Sequence, residues 1–402
     1  MGGTNGEVLQ QIVDDFNASQ DEIEIKAEYQ GTYDDTITKL KAAMQSDSGL
    51  PDVCQMYDVG TKFMYDSGAV IPVEDKFEST GYDKSSVMEV ISSYYTVDGK
   101  QYAMPFNVST PMLYYNKDVF EAAGLDPETP PTTYDEVLED AKKIVESGAA
   151  PVGYSQAIYG WFFEQQLAGL GVTYGNNDNG RKEAVTAVDF DSNGGGLKVF
   201  DMWKKLYDSG YFEDYGTTTA DTQTAFFSGQ VGMIIESTAI LKNAVDSSPF
   251  EVGTGYLPRI EQNDEGGVII GGGSLWLTDT GNEANEDAAW KFIEYITTPD
   301  VQAKWSMGTG YFAINEKAYE TEDMKAYLKE NPNFETAINQ LKDSPVNCNT
   351  AGVLSGVQTE ARLTFNEIMP QVYDGKLTTQ DAVDQLAASV NKAIENYNES
   401  IK

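Results

Sequence analysis

The hydrophobic period switches between that of a helix and that of a strand along the first 75 residues. This alternation restricts the chain to an α/β architecture. Glu7 to Phe16 carries Val8, Leu9, Ile12, Val13 and Phe16 at helical spacing, closed by Asn17-Ala18-Ser19-Gln20. Ile23, Ile25 and Ala27 alternate with charged residues, which predicts a half-buried strand. Asp34 to Met44 is a second amphipathic helix through Ile37, Leu40, Ala43 and Met44, and Asp52 to Tyr57 reads as a short strand. Such a succession predicts a parallel sheet with right-handed crossovers. Ligands of such sheets lie at the carboxyl ends of strands, and Tyr33 and Asp58 sit just beyond two predicted ones.

Further along, Met112–Asn116 reads as a strand and Lys117–Ala123 as a short helix ending at Gly124. Thr133 is placed to N-cap a helix from Tyr134 to Glu146. The polar, glycine- and asparagine-rich stretch Gly175–Gly195 predicts an exposed excursion. Leu197–Tyr207 reads as a helix, Val231–Ile235 as a strand, and Gly271-Gly272-Gly273 as the lead into a strand from Ser274 to Thr278. A helix from Ala284 to Thr297 is stopped by Pro299, and the last 60 residues or so are mostly helical. At 402 residues the chain exceeds one ordinary core and predicts two or three domains. Phe106–Pro111 and Gly266–Gly273 are segments where the chain could cross between two α/β lobes around a hinged cleft.

Composition removes whole classes of function. Lys plus Arg total 27 against 64 Asp plus Glu, a net charge of −37, which argues against nucleic acid and against anionic lipid. With no histidine, the usual general base, the histidine-dependent triads and the commonest metal ligand are missing. Cys54 and Cys348 are too few for a zinc set, so no metal and no cofactor is expected; they are read as a bridge or as buried thiols. Gly271-Gly272-Gly273-Ser274 lacks the lysine of a P-loop. Gly175–Gly180 fails as an EF-hand, with Gly175 in place of the first acidic ligand and Thr186 in place of the closing Glu. Asp34-Asp35, Glu139-Asp140 and Glu322-Asp323 read as solvated helix or turn residues, so no carboxylate pair nominates an enzyme. Arginine occurs only at Arg181, Arg259 and Arg362, so a fixed bidentate anion contact must come from these three. Trp161, Trp276, Trp305 and 24 tyrosines suit stacking on a sugar or polyol as well as core packing. No apolar run reaches the ~20 residues of a membrane helix. The opening Met1-Gly2-Gly3-Thr4 has no basic or apolar leader, which predicts a cytosolic chain or a mature domain whose export signal has been removed.

A set of short motifs runs in order along nearly the whole chain: Phe16-Asn17-Ala18-Ser19-Gln20, Tyr29-Gln30-Gly31-Thr32-Tyr33, Tyr57-Asp58-Val59-Gly60-Thr61 and Gly68-Ala69-Val70-Ile71-Pro72-Val73. Phe106-Asn107-Val108-Ser109-Thr110-Pro111 then leads into Leu113-Tyr114-Tyr115-Asn116-Lys117-Asp118. Gly271-Gly272-Gly273-Ser274-Leu275-Trp276 and Thr309-Gly310-Tyr311-Phe312-Ala313-Ile314 follow. In these the chain resembles family 1 of the extracellular solute-binding proteins of ABC importers, nearest the branch that binds sn-glycerol-3-phosphate and glycerophosphodiesters.

The resemblance implies a two-lobed α/β periplasmic-binding-protein fold, class II and maltose-binding-protein-like, with a hinged ligand cleft. The N-terminal lobe would be 1–108 plus 274–315, the C-terminal lobe 112–268 plus 320–402, and the hinge crossings near 108–112, 268–274 and 315–320. It implies no enzyme but a monomeric binding component that hands a small solute to membrane permease subunits. It would be exported to the periplasm or tethered outside the cell as a lipoprotein. Ligand contacts carry over onto Tyr33, Asp58, Ser109, Trp161, Ser237, Gly272, Tyr311 and Arg362. Four of these are hydroxyl donors, Gly272 admits close backbone approach, and Arg362 would hold phosphate. Read without the resemblance, Arg362 is a helix-surface residue pairing with Glu360 or Glu367, and Ser109 and Ser237 are turn residues. Cys54 and Cys348 would fall in different lobes, where a bridge would lock the hinge. Two positions depart from the family pattern: Asp58 stands for its usual Glu, and Ile158 for a second Trp. Both face the end of the ligand away from phosphate, which leaves a neutral oligosaccharide as the alternative solute, and a glycan-active enzyme as a remote one.

Overall fold

The computed structural model describes residues 1–45 and 49–402, without the Asp34 side chain, so the reading of that carboxylate lies outside the described residues. The chain forms two compact units: Met1–Ser109 with Ile270–Asn331, and Thr110–Ile269 with Pro332–Lys402. The helix Glu322–Glu330 belongs to the first unit because Met324 packs with Ala303, Ala313 and Ala318.

The two main sheets are built from β1 (Val53–Tyr57), β2 (Val70–Ile71), β3 (Met104–Ser109), β4 (Pro111–Asn116), β5 (Val152–Ser155), β6 (Val231–Ser237), β7 (Val252–Gly255) and β8 (Gly271–Thr278). In the first unit β8 is the hub and pairs antiparallel with β1, β2 and β3. In the second the order is β5-β6-β4-β7, and only β5 and β6 run parallel. The parallel sheet expected from the opening alternation is therefore corrected. The neighbour of β1 is not the next strand in sequence but β8, which enters more than two hundred residues later from the opposite direction.

The strand expected at Ile23–Ala27 joins no ladder among the described residues. The backbone groups of Ile23 and Ile25 are satisfied by side chains closing the helix Gly3–Ser19. Asn17 donates to the Ile25 carbonyl at 2.9 Å and accepts from the Ile25 N–H at 2.8 Å, and Gln20 brackets Ile23 in the same way. An edge whose donors and acceptors are already spent has no reason to recruit a partner strand.

Local signals elsewhere hold. Thr133 caps the helix Tyr134–Ser147 through a capping box with Glu136, and Gly148 ends it in the left-handed region. The helix Glu283–Ile296 stops before Pro299, which then starts the helix Pro299–Thr309 at its first turn. The excursion expected at Gly175–Gly195 is exposed only in part, at Lys182–Ala184, Thr186 and Asp191–Gly194. Val185, Val188 and Phe190 are buried in the second unit's core. Asn179 fastens the turn, accepting from the Tyr174 and Gly175 N–H groups and donating to the Cys348 carbonyl. Part of its polarity in sequence is therefore that of a stitched turn. Both cysteines are free thiols, Cys54 buried and Cys348 half-exposed.

Candidate functional site

In the first unit the antiparallel hub brings the amino end of β8 beside the carboxyl ends of β1 and β3. Tyr57 pairs with Gly273, Asn107 with Gly273, Val108 with Gly272, and Ser109 with Gly271. The three glycines expected to precede the strand are its first residues. Gly272 has φ +97°, and a Cβ there would lie 1.8 Å from the Asn107 carbonyl oxygen; at Gly273 it would lie 2.8 Å from Asn107 Oδ1. Only glycine lets the two backbones approach this closely.

Onto this platform the chain brings two tyrosines far apart in sequence. Tyr33 begins the helix Tyr33–Met44, capped by Thr32, and stacks on Tyr57 with ring centroids 4.9 Å apart. Tyr311 follows the helix Pro299–Thr309 and stacks on Trp305 at 5.9 Å, and Trp305 stacks in turn on Phe106 at 4.4 Å. Between the tyrosines lies Asn107, wholly buried. Its Nδ2 donates to the Tyr33 hydroxyl at 2.9 Å, while its Oδ1 accepts from Gln55 Nε2 at 2.7 Å. Burial pushes the Tyr311 phenol up, and the Asn107 amide beside it opposes that push. Asp58 is buried in the short turn after β1, where Thr61 Oγ1 donates to its carbonyl. Desolvation raises the buried Tyr95 phenol, and the nearby Asp58 carboxylate adds to that push. Ser109 ends β3, buried, its hydroxyl making no hydrogen bond among the described residues. Thus Tyr33, Asp58, Ser109, Gly272 and Tyr311 share one end of one sheet. Sequence reasoning did not single out Asn107 or Gln55; Asn107 was visible only as one letter of the Phe106–Pro111 motif.

The second unit holds Trp161, Ser237 and Arg362. Trp161 is the second residue of the helix Gly160–Gly169, buried, with an indole N–H lacking any partner among the described residues. Gly160 packs so tightly on the helix Gln358–Tyr373 that a Cβ would lie 2.5 Å from Arg362 Cα. Ile158, where the family pattern has tryptophan, is fully buried. Ser237 ends β6; its hydroxyl accepts from the Ala239 N–H at 3.2 Å and its carbonyl accepts from the Tyr114 hydroxyl at 2.7 Å. It serves as a turn cap here.

Arg362 differs most from expectation. It is neither a surface residue paired with Glu360 or Glu367 nor a guanidinium held only for phosphate. It is 8 % exposed and grips Glu164 with both arms of its fork, Nε to Oε1 at 2.8 Å and Nη2 to Oε2 at 2.7 Å. Gln358 Nε2 adds a third donor to Glu164 at 2.9 Å. A signal for this pair was present in sequence: Glu164 is the one charge in the stretch Trp161–Leu167, directly after three aromatic residues, and a charge on a buried helix needs a partner.

The fold and these two residue groups define a class: a two-lobed α/β binding protein of the maltose-binding-protein kind. A family model for bacterial extracellular solute-binding proteins matches residues 11–336, and the chain belongs to that family, the solute-capturing component of ABC importers. It is 30 % identical over its full length, and over 92 % of the relative, to the sn-glycerol-3-phosphate-binding periplasmic protein UgpB of Escherichia coli K12. Among solved structures, the cyclic alpha-maltosyl-1,6-maltose binding protein of Arthrobacter globiformis is 26 % identical with TM-score 0.81, covering 98 % of this chain and 97 % of that one. Mycobacterium tuberculosis UgpB, solved with glycerophosphocholine, is 20 % identical with TM-score 0.82 and covers 98 % and 95 %, a likeness of fold. These relatives bind solutes and are not enzymes. No helix among the described residues is long and apolar enough to cross a membrane.

Proposed function

We propose that the chain captures a glycerophosphodiester or glycerol-3-phosphate and presents it to a membrane permease. The observation that carries this reading is the cluster of Tyr33, Asn107, Tyr311, Ser109 and Gly272 at one sheet end: neutral donors on a platform where glycine admits close approach. A single phosphate can be held by such donors without a basic face, so the net charge of −37 is no obstacle. The identity to the Escherichia coli glycerol-3-phosphate-binding protein supports the same reading. The ion pair of Arg362 with Glu164 favours the diester, whose single charge suffers less than a dianion from the loss of net positive charge at Arg362. Hinged closure about 108–112, 268–274 and 315–320 belongs to this proposal. So do the use of Tyr33, Asp58, Ser109, Trp161, Ser237, Gly272, Tyr311 and Arg362 as one ligand set, a monomeric state, and a location in the periplasm or on a lipid anchor.

A neutral oligosaccharide is the second reading. The neutralised Arg362 and the identity to the Arthrobacter globiformis protein favour it. Isothermal titration calorimetry with glycerophosphocholine, glycerol-3-phosphate and maltotriose decides between them. Heat with either phosphate supports the first reading, heat with maltotriose alone the second, and silence from all three refutes both.

A further inference from the structure

Asn107 is a donor on one side and an acceptor on the other, and the structure fixes which side is which. An asparagine amide can sit in either of two flipped orientations, distinguished only by its partners. Here Gln55 Nε2 donates to one end at 2.7 Å, so that end is the oxygen. The other end, the NH2 group, faces Tyr33 and donates to its hydroxyl oxygen at 2.9 Å. Tyr311 lies beside the same amide. A phenol whose oxygen accepts from an amide directs its own proton elsewhere. Both rings are held by stacking, on Tyr57 and on Trp305, so their hydroxyl oxygens stay beside the amide, whose NH2 group then sets the direction of the phenol proton. The glycines at 272 and 273 leave Asn107 the room it occupies.

We infer that Asn107, oriented by Gln55, is a positioning residue that sets Tyr33, and Tyr311 beside the same amide, as hydrogen-bond donors, so that this sheet end suits a ligand group carrying only acceptors, such as phosphoryl oxygen. The inference rests on the reading that this sheet end binds the solute, and it deepens that reading. A hydroxyl can turn to match either polarity, whereas a phosphoryl oxygen is served only by donors.

Asn107→Asp and Gln55→Leu, each compared with the unaltered chain, test it. The aspartate keeps the shape but replaces the NH2 by a second acceptor, which turns the phenol protons inward. The leucine removes the anchor and lets the amide flip; Gln55 is half-exposed, so this variant keeps a folded protein available if the first does not fold. Calorimetry with glycerophosphocholine and glycerol-3-phosphate should show about 100-fold weaker binding for Asn107→Asp and about tenfold weaker for Gln55→Leu. Ultraviolet difference titration should show a phenol ionising at higher pH in Asn107→Asp, a signature that mere loosening of the fold would not give. Unchanged affinity in both variants overturns the inference, as does an unchanged phenol titration, or a chain that binds maltotriose alone. If the unaltered chain binds no probe, the proposed function fails, and the titration still judges the polarity of the tyrosines.

Discussion

Replacing Glu164 by glutamine should destabilise the second unit far more than loss of an ordinary surface ion pair. The attraction between Arg362 and Glu164 at 2.7 Å is about 6 kcal/mol at an effective dielectric constant of about 20. Burying the two charges costs several kcal/mol each, so the intact pair gains little over an apolar pair of equal volume. Glutamine keeps the shape and one acceptor but leaves the guanidinium buried without a counter-charge. Breaking one side of a buried pair costs about 3–5 kcal/mol. For a unit of roughly 230 residues, each kcal/mol moves the melting temperature by about 2–4 °C, so the expected drop is about 6–20 °C. Calorimetric melting at low and at high salt is the assay. The drop should barely change with salt, because buried pairs escape screening. The double variant Glu164→Leu with Arg362→Met should recover most of the loss. A drop below about 1 kcal/mol, or one that vanishes in salt, would show a solvated pair of the weak surface kind and refute the reasoning.

Gly272→Ala should destabilise the first unit by about 2–5 kcal/mol, combining a strained φ with overlap on the Asn107 carbonyl. Gly281→Ala, at φ +70° with nothing within 4 Å, should cost only about 1–2 kcal/mol in the same urea titration. Thiol labelling in the folded state should modify Cys348 and spare Cys54, whose thiol burial pushes up to about 12; both should react in denaturant, and no label at all there would reveal a bridge between them. Glu236 is buried, accepting from Gln223 Nε2 and the Ser237 N–H, and desolvation raises it above its ordinary value near 4.5. A raised carboxyl contributes stability that is full below that ordinary value and lost as pH rises through the folded one. Glu236→Gln should flatten this decline in unfolding free energy above about pH 4.5, and an unchanged slope would exclude Glu236 as its source.

Much of the local structure was determined by the sequence alone. The Thr133 capping box, the stop before Pro299 and the amphipathic helices near the amino terminus depend on groups a few residues apart, whose hydrogen bonding and period follow from their order. The absence of histidine and the ordered motifs pointed to a binding protein before any contact was known. Whatever depends on distant segments meeting was decided only by the tertiary structure. The direction of β8 made the first sheet antiparallel, because a returning segment chooses its neighbours by packing and not by sequence order. Asn17 and Gln20 removed an expected strand by satisfying its backbone themselves. Tyr33 and Tyr311, 278 positions apart in number, meet at Asn107 only once the sheet is built. For Arg362 the sequence shows the charge of the side chain and hides its partner. Burial made a counter-charge necessary, and the close approach at Gly160 brought in Glu164 to supply it.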